Sequence, residues 1–289
     1  MHELDKQVKE HLQARVVELE GYFDGDCIFF FGPIFPSLEK RFREFLELLK
    51  ADGDARHRLV VFVNSPGGSA ETVEKMVEII RHHYSEVFFV VPDEAMSAGT
   101  ILCMSGDRIY MDYSSSLGPI DPQVFNGKDW VPALGYLDQV EKMIEKSSRN
   151  QLTDAEFIIL QNQDLAMLSQ FEQAKNLTIT LLKRWLVEFK FKDWTVHQST
   201  PAKLGQPVTQ QEKEQRAEEI ANILSDNKIW HSHGRKISAA TLTNVLKLRI
   251  ENYSGDAKLT NLIRSYNDFL LEYILRNDTP VFLHSRCYF

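Results

Sequence analysis

The chain is poor in cysteine, in basic residues and in long apolar runs, and each shortage excludes a class of protein. Its three cysteines, Cys27, Cys103 and Cys287, are odd in number and widely spaced, and none belongs to a C-x-x-C pair. Neither a disulfide framework nor a zinc site is indicated, and a reducing, cytoplasmic setting is expected. Lysine and arginine total 33 against 41 aspartates and glutamates, a net charge of −8. That acidic balance argues against nucleic acid or an anionic membrane as the main partner, since both require a basic footprint. No stretch approaches the roughly 20 apolar residues of a membrane span. The opening Met1-His2-Glu3-Leu4-Asp5 is charged, so no integral membrane segment and no export or anchoring signal is expected. No internal repeat or low-complexity tract is visible.

What is present is enough apolar material, 43% of 289 residues, to bury a large core in one domain with an appendage or in two modest domains. In chain order, Leu4 to Ala14 reads as a charged helix. Val16 to Phe23 and Cys27 to Phe31 read as two strands of a hairpin turning at Asp24-Gly25-Asp26. Leu38, Phe42, Phe45, Leu46 and Leu49 then recur at helical spacing. From there strands and helices alternate with short glycine-rich connections, which predicts a mostly parallel sheet covered by helices with a ligand crevice at the carboxyl ends of its strands. After Gln123 the pattern turns helical. A turn-rich break near Phe191–Pro207 divides a core expected over 1–195 from a helical region expected over 208–289, where Thr209-Gln210-Gln211-Glu212 is a capping box.

Two local patterns carry chemistry. The strand Leu59–Val63 ends in Asn64-Ser65-Pro66-Gly67-Gly68, and two glycines after a strand leave backbone N–H groups uncovered. The strand Val87–Val91 leads to Glu94-Ala95-Met96-Ser97-Ala98-Gly99-Thr100 and then to Ile101-Leu102-Cys103-Met104, a strand, a tight turn and a helix start. A hydroxyl at such a turn suits a nucleophile, because small neighbours admit a substrate carbonyl and a helix N-terminus favours developing negative charge. Taken singly, the Pro-Gly-Gly is a turn and the serine a helix cap.

Together with Ser105-Gly106-Asp107-Arg108-Ile109-Tyr110-Met111 and Ser116-Leu117-Gly118-Pro119-Ile120-Asp121-Pro122-Gln123, the order resembles the ClpP/crotonase superfamily. Within it the chain is similar to the SppA-like branch that includes the serine dehydrogenase proteinases. The resemblance is strongest over Leu59 to Gln123 and extends more weakly to the C-terminus. It implies an α/β fold with a repeated β-β-α core and an α-helical C-terminal region. It further implies a serine peptidase acting on a peptide or protein substrate without a cofactor, with Ser97 as nucleophile and the amides of Gly67, Gly68 and Ala98 as oxyanion donors. Relatives of this kind bury apolar helical surface between subunits. With Phe29-Phe30-Phe31 and Phe189-Lys190-Phe191 read as exposed, a homo-oligomer is expected.

The general base is the open position. ClpP-like members place a histidine near the stretch matched here by Leu117-Gly118-Pro119-Ile120, which has none, and SppA-like members use a downstream lysine, for which Lys128 and Lys142 are the candidates in this sequence. The cluster Trp230-His231-Ser232-His233-Gly234-Arg235 looks similar to a turn in the C-terminal part of the serine dehydrogenase proteinases, which makes His233 the third candidate. Two histidines one residue apart without a further ligand set are read as a helix-to-helix turn, not a metal site. Asp121 either orients a base or caps its own Asp-Pro turn. An inactive or partner-activated scaffold on the same fold, or an acyl-thioester enzyme with a carboxylate base, are the alternatives to a peptidase.

Overall fold

The computed structural model describes residues 3–121, 123–125, 130–198 and 201–289. Helix α1 (Glu3–Phe23) precedes strand β1 (Asp26–Phe31), helix α2 (Leu38–Ala51), strand β2 (Arg58–Asn64), helix α3 (Ala70–His83) and strand β3 (Glu86–Val90). A two-residue strand β4 (Glu94–Ala95) runs into α4 (Ala98–Met104), followed by β5 (Arg108–Met111), β6 (Ser116–Leu117) and the antiparallel pair β7 (Gln123–Phe125) and β8 (Trp130–Pro132). Helices α5 (Ala133–Ser148), α6 (Asp154–Gln161) and α7 (Leu165–Trp185) come next, the last ending in a π-helical turn at Leu186–Lys190. The remainder comprises α8 (Gln210–Ser225), α9 (Asn227–Trp230), β9 (Ile237–Ser238), α10 (Ala239–Asn244), β10 (Glu251–Asn252), α11 (Ala257–Arg276) and β11 (Phe282–Ser285).

The main sheet has the order β10-β5-β3-β2-β1-β11, parallel except for β11, which pairs antiparallel with β1. Helix layers cover both faces, so the central strands read as near-continuous apolar runs, as parallel sheets require. On β1, Phe30 packs with α2 and α3 on one face while Phe29 packs with α1 and α11 on the other. The Phe29-Phe30-Phe31 run is therefore interior strand, not exposed surface. Phe191 is likewise buried and Phe189 half-buried.

The hairpin expected at Val16–Phe31 does not form. Val8, Leu12, Val16, Leu19 and Phe23 are all buried against the sheet. Their spacing of three and four residues continues one helical stripe through the β-branched pair at Val16-Val17, each member contributing roughly 1.5–3 kcal/mol by burial. Asp24, with φ 46°, ends the helix and turns the chain into β1.

Residues 208–289 share this core. They add β10 and β11 to opposite edges of the main sheet, β9 to a small sheet, and α11 to the layer beside α1. The edge strand β11 is fastened by Arg286, whose guanidinium pairs with the buried carboxylates of Glu20 and Asp26 and with Asp52. Among the described residues no helix is long and apolar enough to cross a membrane.

Candidate active site

The small sheet β4-β6-β9 stands at the carboxyl end of the main sheet and holds the Ser97 turn. Ala95 bridges to Ser65, with Ser65 N donating to the Glu94 carbonyl at 2.9 Å and Met96 N donating to the Ser65 carbonyl at 2.9 Å. The end of β2 and the end of β4 are thus laid side by side, which brings the Pro-Gly-Gly loop against the serine. The contact is tight: a Cβ on Gly67 would lie 2.7 Å from the Met96 carbonyl oxygen and 2.8 Å from the Ser97 Cβ. Gly118 closes the turn from the other side, where a Cβ would lie 3.2 Å from Ser97 N.

Ser97 adopts φ 50° and ψ −115°, a conformation that non-glycine residues avoid and that surrounding structure must impose. It is buried, it caps α4 without a side-chain cap hydrogen bond, and its hydroxyl has no hydrogen-bond partner among the described residues. Thr100, one turn further, locks the corner: its hydroxyl donates to the Ala95 carbonyl at 2.8 Å and accepts from Gly118 N at 2.9 Å. Nothing in the local sequence pattern singled out Thr100, because its role depends on Gly118, which is distant in the chain.

Backbone N–H groups around the serine are unequally available. Gly67 N–H donates to Ser65 Oγ at 3.1 Å and is committed there. The Gly67 carbonyl and Ser69 N–H pair with Ile34, at 2.9 Å each, which turns the intervening Gly68 N–H away from that pairing. Ala98 N–H belongs to the first turn of α4 and has no intrahelical acceptor. Gly68 N–H and Ala98 N–H are therefore the two amides beside Ser97 without a partner among the described residues.

His233 follows α9 in a turn where His231 takes φ 61°. Four residues later β9 pairs with β6, Ile237 opposite Leu117, and β6 pairs with β4, Leu117 opposite Ala95. Two strand spacings, about 10 Å, separate β9 from the strand that ends at the serine. Lys236 reinforces the approach with an ion pair to Glu94 at 2.9 Å. Burial pushes the His233 imidazole below the ordinary histidine pKa, and its Nδ1 is buried without a partner among the described residues. Lys142 is exposed on α5, and Lys128 lies outside the described residues. No group of three metal-binding side chains converges among the described residues.

Asp121 lies three residues past Gly118 and is buried. Its Oδ1 accepts from Leu134 N at 3.2 Å, at the start of α5, while Oδ2 is buried with no partner among the described residues. Burial, with a smaller contribution from Asp138, raises the Asp121 pKa from 3.8 to about 6. A folded-state pKa above the unfolded value means that ionisation costs stability as pH rises through 6. Asp121→Asn, which keeps the acceptor for Leu134, is expected to stabilise the chain by on the order of 2–3 kcal/mol at pH 8 and by nothing below pH 4. Thermal melts of both proteins across that range check this; a constant difference at all pH values refutes it.

The sequence profile of the ClpP-like SDH-type serine proteinases matches residues 41–203, which contain both glycines, Ser97 and Asp121. Two uncharacterized proteins of Methanocaldococcus jannaschii are each 29% identical, over 133 and 92 residues, covering 46% and 32% of this chain. The matches span only 42% and 30% of those relatives' own lengths. Among solved structures, the 1510-N membrane-bound stomatin-specific protease aligns at 12% identity over 81% of this chain and 79% of that one, with a TM-score of 0.45. A substrate-peptide complex of that protease aligns at 17% identity over 55% and 57%, with a TM-score of 0.35. With more than half of its length matched by that profile, the chain belongs to the family of ClpP-like SDH-type serine proteinases.

Proposed function

We propose that the chain is a serine peptidase acting through an acyl-enzyme at Ser97. The observation that supports it is the strained, buried turn at Ser97 with the unpaired amides of Gly68 and Ala98 beside it. Ser97 Oγ attacks the carbonyl carbon of a peptide bond and passes its proton to a base. The tetrahedral oxygen accepts from Gly68 and Ala98 N–H, the second backed by the N-terminus of α4, and each such donor contributes about 3–4 kcal/mol to the barrier. The C–N bond then breaks, the amine takes the proton, and water hydrolyses the ester by the same route in reverse.

The base in this reading is His233. Its depressed pKa leaves the imidazole neutral near pH 7 and ready to accept a proton, whereas Lys142 stands exposed on α5. In this reading the 231–236 turn, tied to β4 through the Lys236–Glu94 ion pair, closes over Ser97 for the ring to reach the hydroxyl. The three free cysteines accord with a cytoplasmic site of action.

A fluorophosphonate probe tests the serine, and labelling is expected at Ser97 alone. His233→Gln is expected to lower kcat/KM by about 10²–10⁴-fold and to remove the acid limb of the pH profile. An unchanged profile passes the base to Lys128 or Lys142. An acyl-thioester reading has one observation in its favour, the elevated Asp121 carboxyl, and is preferred if the probe leaves Ser97 unlabelled while a coenzyme A thioester is turned over.

A further inference from the structure

Asn267 interrupts the buried apolar face of α11. Leu259, Leu262, Ile263, Leu270 and Ile274 form that face, yet Asn267 lies among them, 2% exposed. Its Nδ2 donates to Asp93 Oδ2 at 2.7 Å, while its Oδ1 is buried with no partner among the described residues. An orphaned acceptor in the interior costs stability, and a leucine of the same branching carries no such cost. The asparagine is accounted for by what its amide holds.

Asp93 stands between β3 and β4, exposed as a residue but with Oδ2 bonded to two buried amides. The second is Asn64 Nδ2, at 2.8 Å, from the last residue of β2. Two donors fill the two lone pairs of one oxygen, and hydrogen bonds to a carboxylate are the stronger kind. Asn64 and Asp93 immediately precede Ser65 and Glu94, whose backbones begin the pairing that lays β2 against the strand of Ser97. Their side-chain contact is the first rung of the ladder continued by Ser65 N to the Glu94 carbonyl and Met96 N to the Ser65 carbonyl. The Asp93 carbonyl accepts from Ser116 N at 2.8 Å and so adds the start of β6.

The same helix grips the neighbouring loop. Arg264, one turn before Asn267, pairs with Asp112 Oδ2, and Asp112 Oδ1 accepts from Ser114 N at 2.7 Å and from Ser115 N at 3.1 Å. Ser115 Oγ in turn donates to the Val91 carbonyl at 2.6 Å, two residues before Asp93. Thus α11 fixes the segments that leave the carboxyl ends of β3 and β5. We infer that Asn267 and Asp93 are positioning residues of the Ser97 centre, holding the β2–β4 junction so that the amides of Gly68 and Ala98 stay aimed beside the serine. This inference rests on the peptidase reading, and both residues act through Ser65 and Met96, not by contact with the reacting atoms.

Loss of this register is felt in rate more than in folding. A misplacement on the order of 1 Å in a positioned group costs about 10²-fold in rate, and removing the partner that orients a working group typically costs about 10–100-fold. Asn64 and Ser65 are buried, and Gly67 and Gly68 abut the backbones of Met96 and Ile34, so the loop has no slack to absorb a slip at Asp93.

The readout is the second-order rate constant for fluorophosphonate labelling of Ser97 in the full chain, counted per folded molecule by circular dichroism. Asn267→Leu and Asp93→Ala are each expected to lower it about 10–100-fold while the far-UV spectrum stays that of the parent. Asp93→Asn keeps an oxygen with two lone pairs in the same place and is expected to return the rate to within about threefold of the parent. Asp256→Ala, which removes the cap of α11 that accepts from Leu259 N, is expected to lower the melting temperature and leave the labelling rate of the folded chain unchanged. Labelling of Asn267→Leu or Asp93→Ala at the parent's rate overturns the inference and leaves the peptidase reading intact. So does an Asp256→Ala chain slowed as much as they are, or an Asp93→Asn chain as slow as Asp93→Ala. Should Asn267→Leu misfold, the two variants of the exposed Asp93 decide. A parent that never labels at Ser97 ends both the peptidase reading and this one.

Discussion

Replacing Ser97 with alanine is expected to abolish hydrolysis and probe labelling while leaving the fold in place. The change removes one oxygen from a side chain that makes no hydrogen bond among the described residues, so no partner is orphaned. The backbone strain at φ 50° is the same for alanine as for serine, and the expected change in stability is under ~1 kcal/mol. The loss of rate is far larger. In the proposed mechanism, removing the atom that forms the acyl bond leaves only binding and the amides of Gly68 and Ala98, and a fall in kcat of about 10³-fold or more is expected. Steady-state hydrolysis beside thermal melts measures both sides of this contrast. An alanine variant that cleaves at the parent's rate removes Ser97 from the chemistry; one that loses rate only in proportion to folded protein assigns it a structural role.

The parts of the fold that can be read from sequence are those whose signal is local. Strands β2 and β3 announce themselves as apolar runs because both faces are covered, and the Pro66-Gly67-Gly68 and Ser97-Ala98-Gly99 turns carry their own small residues. Helix α1 misleads because Val16, Val17 and Phe23 carry strand preference, and the longer period that joins them to Val8 and Leu12 becomes decisive only with the sheet beneath it. The strands β9, β10 and β11 are two to four residues long, too short for any periodicity, and exist because distant partners accept them. They make the C-terminal part a contributor to both sheets rather than only a helical region.

The candidate site divides in the same way. That Ser97 and the glycines meet was legible, since each lies at the carboxyl end of a neighbouring parallel strand. Which amides are free was not: Gly67 N–H is taken by Ser65 Oγ, and only the pairing with Ile34 decides how Gly68 is turned. Asp121 drew notice as a carboxylate near the site, but its unpartnered Oδ2 is a product of burial beside the start of α5. The proposed base is the least legible element of all, because the turn that carries His233 is tied to the strand before Ser97 only through a β9–β6–β4 ladder that spans well over a hundred residues of chain.

The glycine loop yields the second large effect, this time on stability. Gly68 has φ +148°, and a Cβ there would lie 2.0 Å from the Ile34 carbonyl oxygen, 2.8 Å from its carbon and 2.9 Å from its nitrogen. All three are backbone atoms held by hydrogen bonds to Gly67 and Ser69, so no side chain can swing aside and the loop must lift off the segment between β1 and α2. Gly68→Ala is therefore expected to cost ~3 kcal/mol or more, a fall in Tm on the order of 10 °C, and to displace the amide beside Ser97. Gly67→Ala meets the Met96 carbonyl at 2.7 Å and the Ser97 Cβ at 2.8 Å, so its clash falls on the serine turn itself, and labelling of Ser97 is expected to fall even in the folded fraction. Gly53→Ala is the control, since a Cβ there meets nothing within 4 Å. Melting and probe labelling of the three variants separate the cases. If Gly68→Ala melts with the parent and labels as fast, the loop does not rest on Ile34 and its amide has no part in the site.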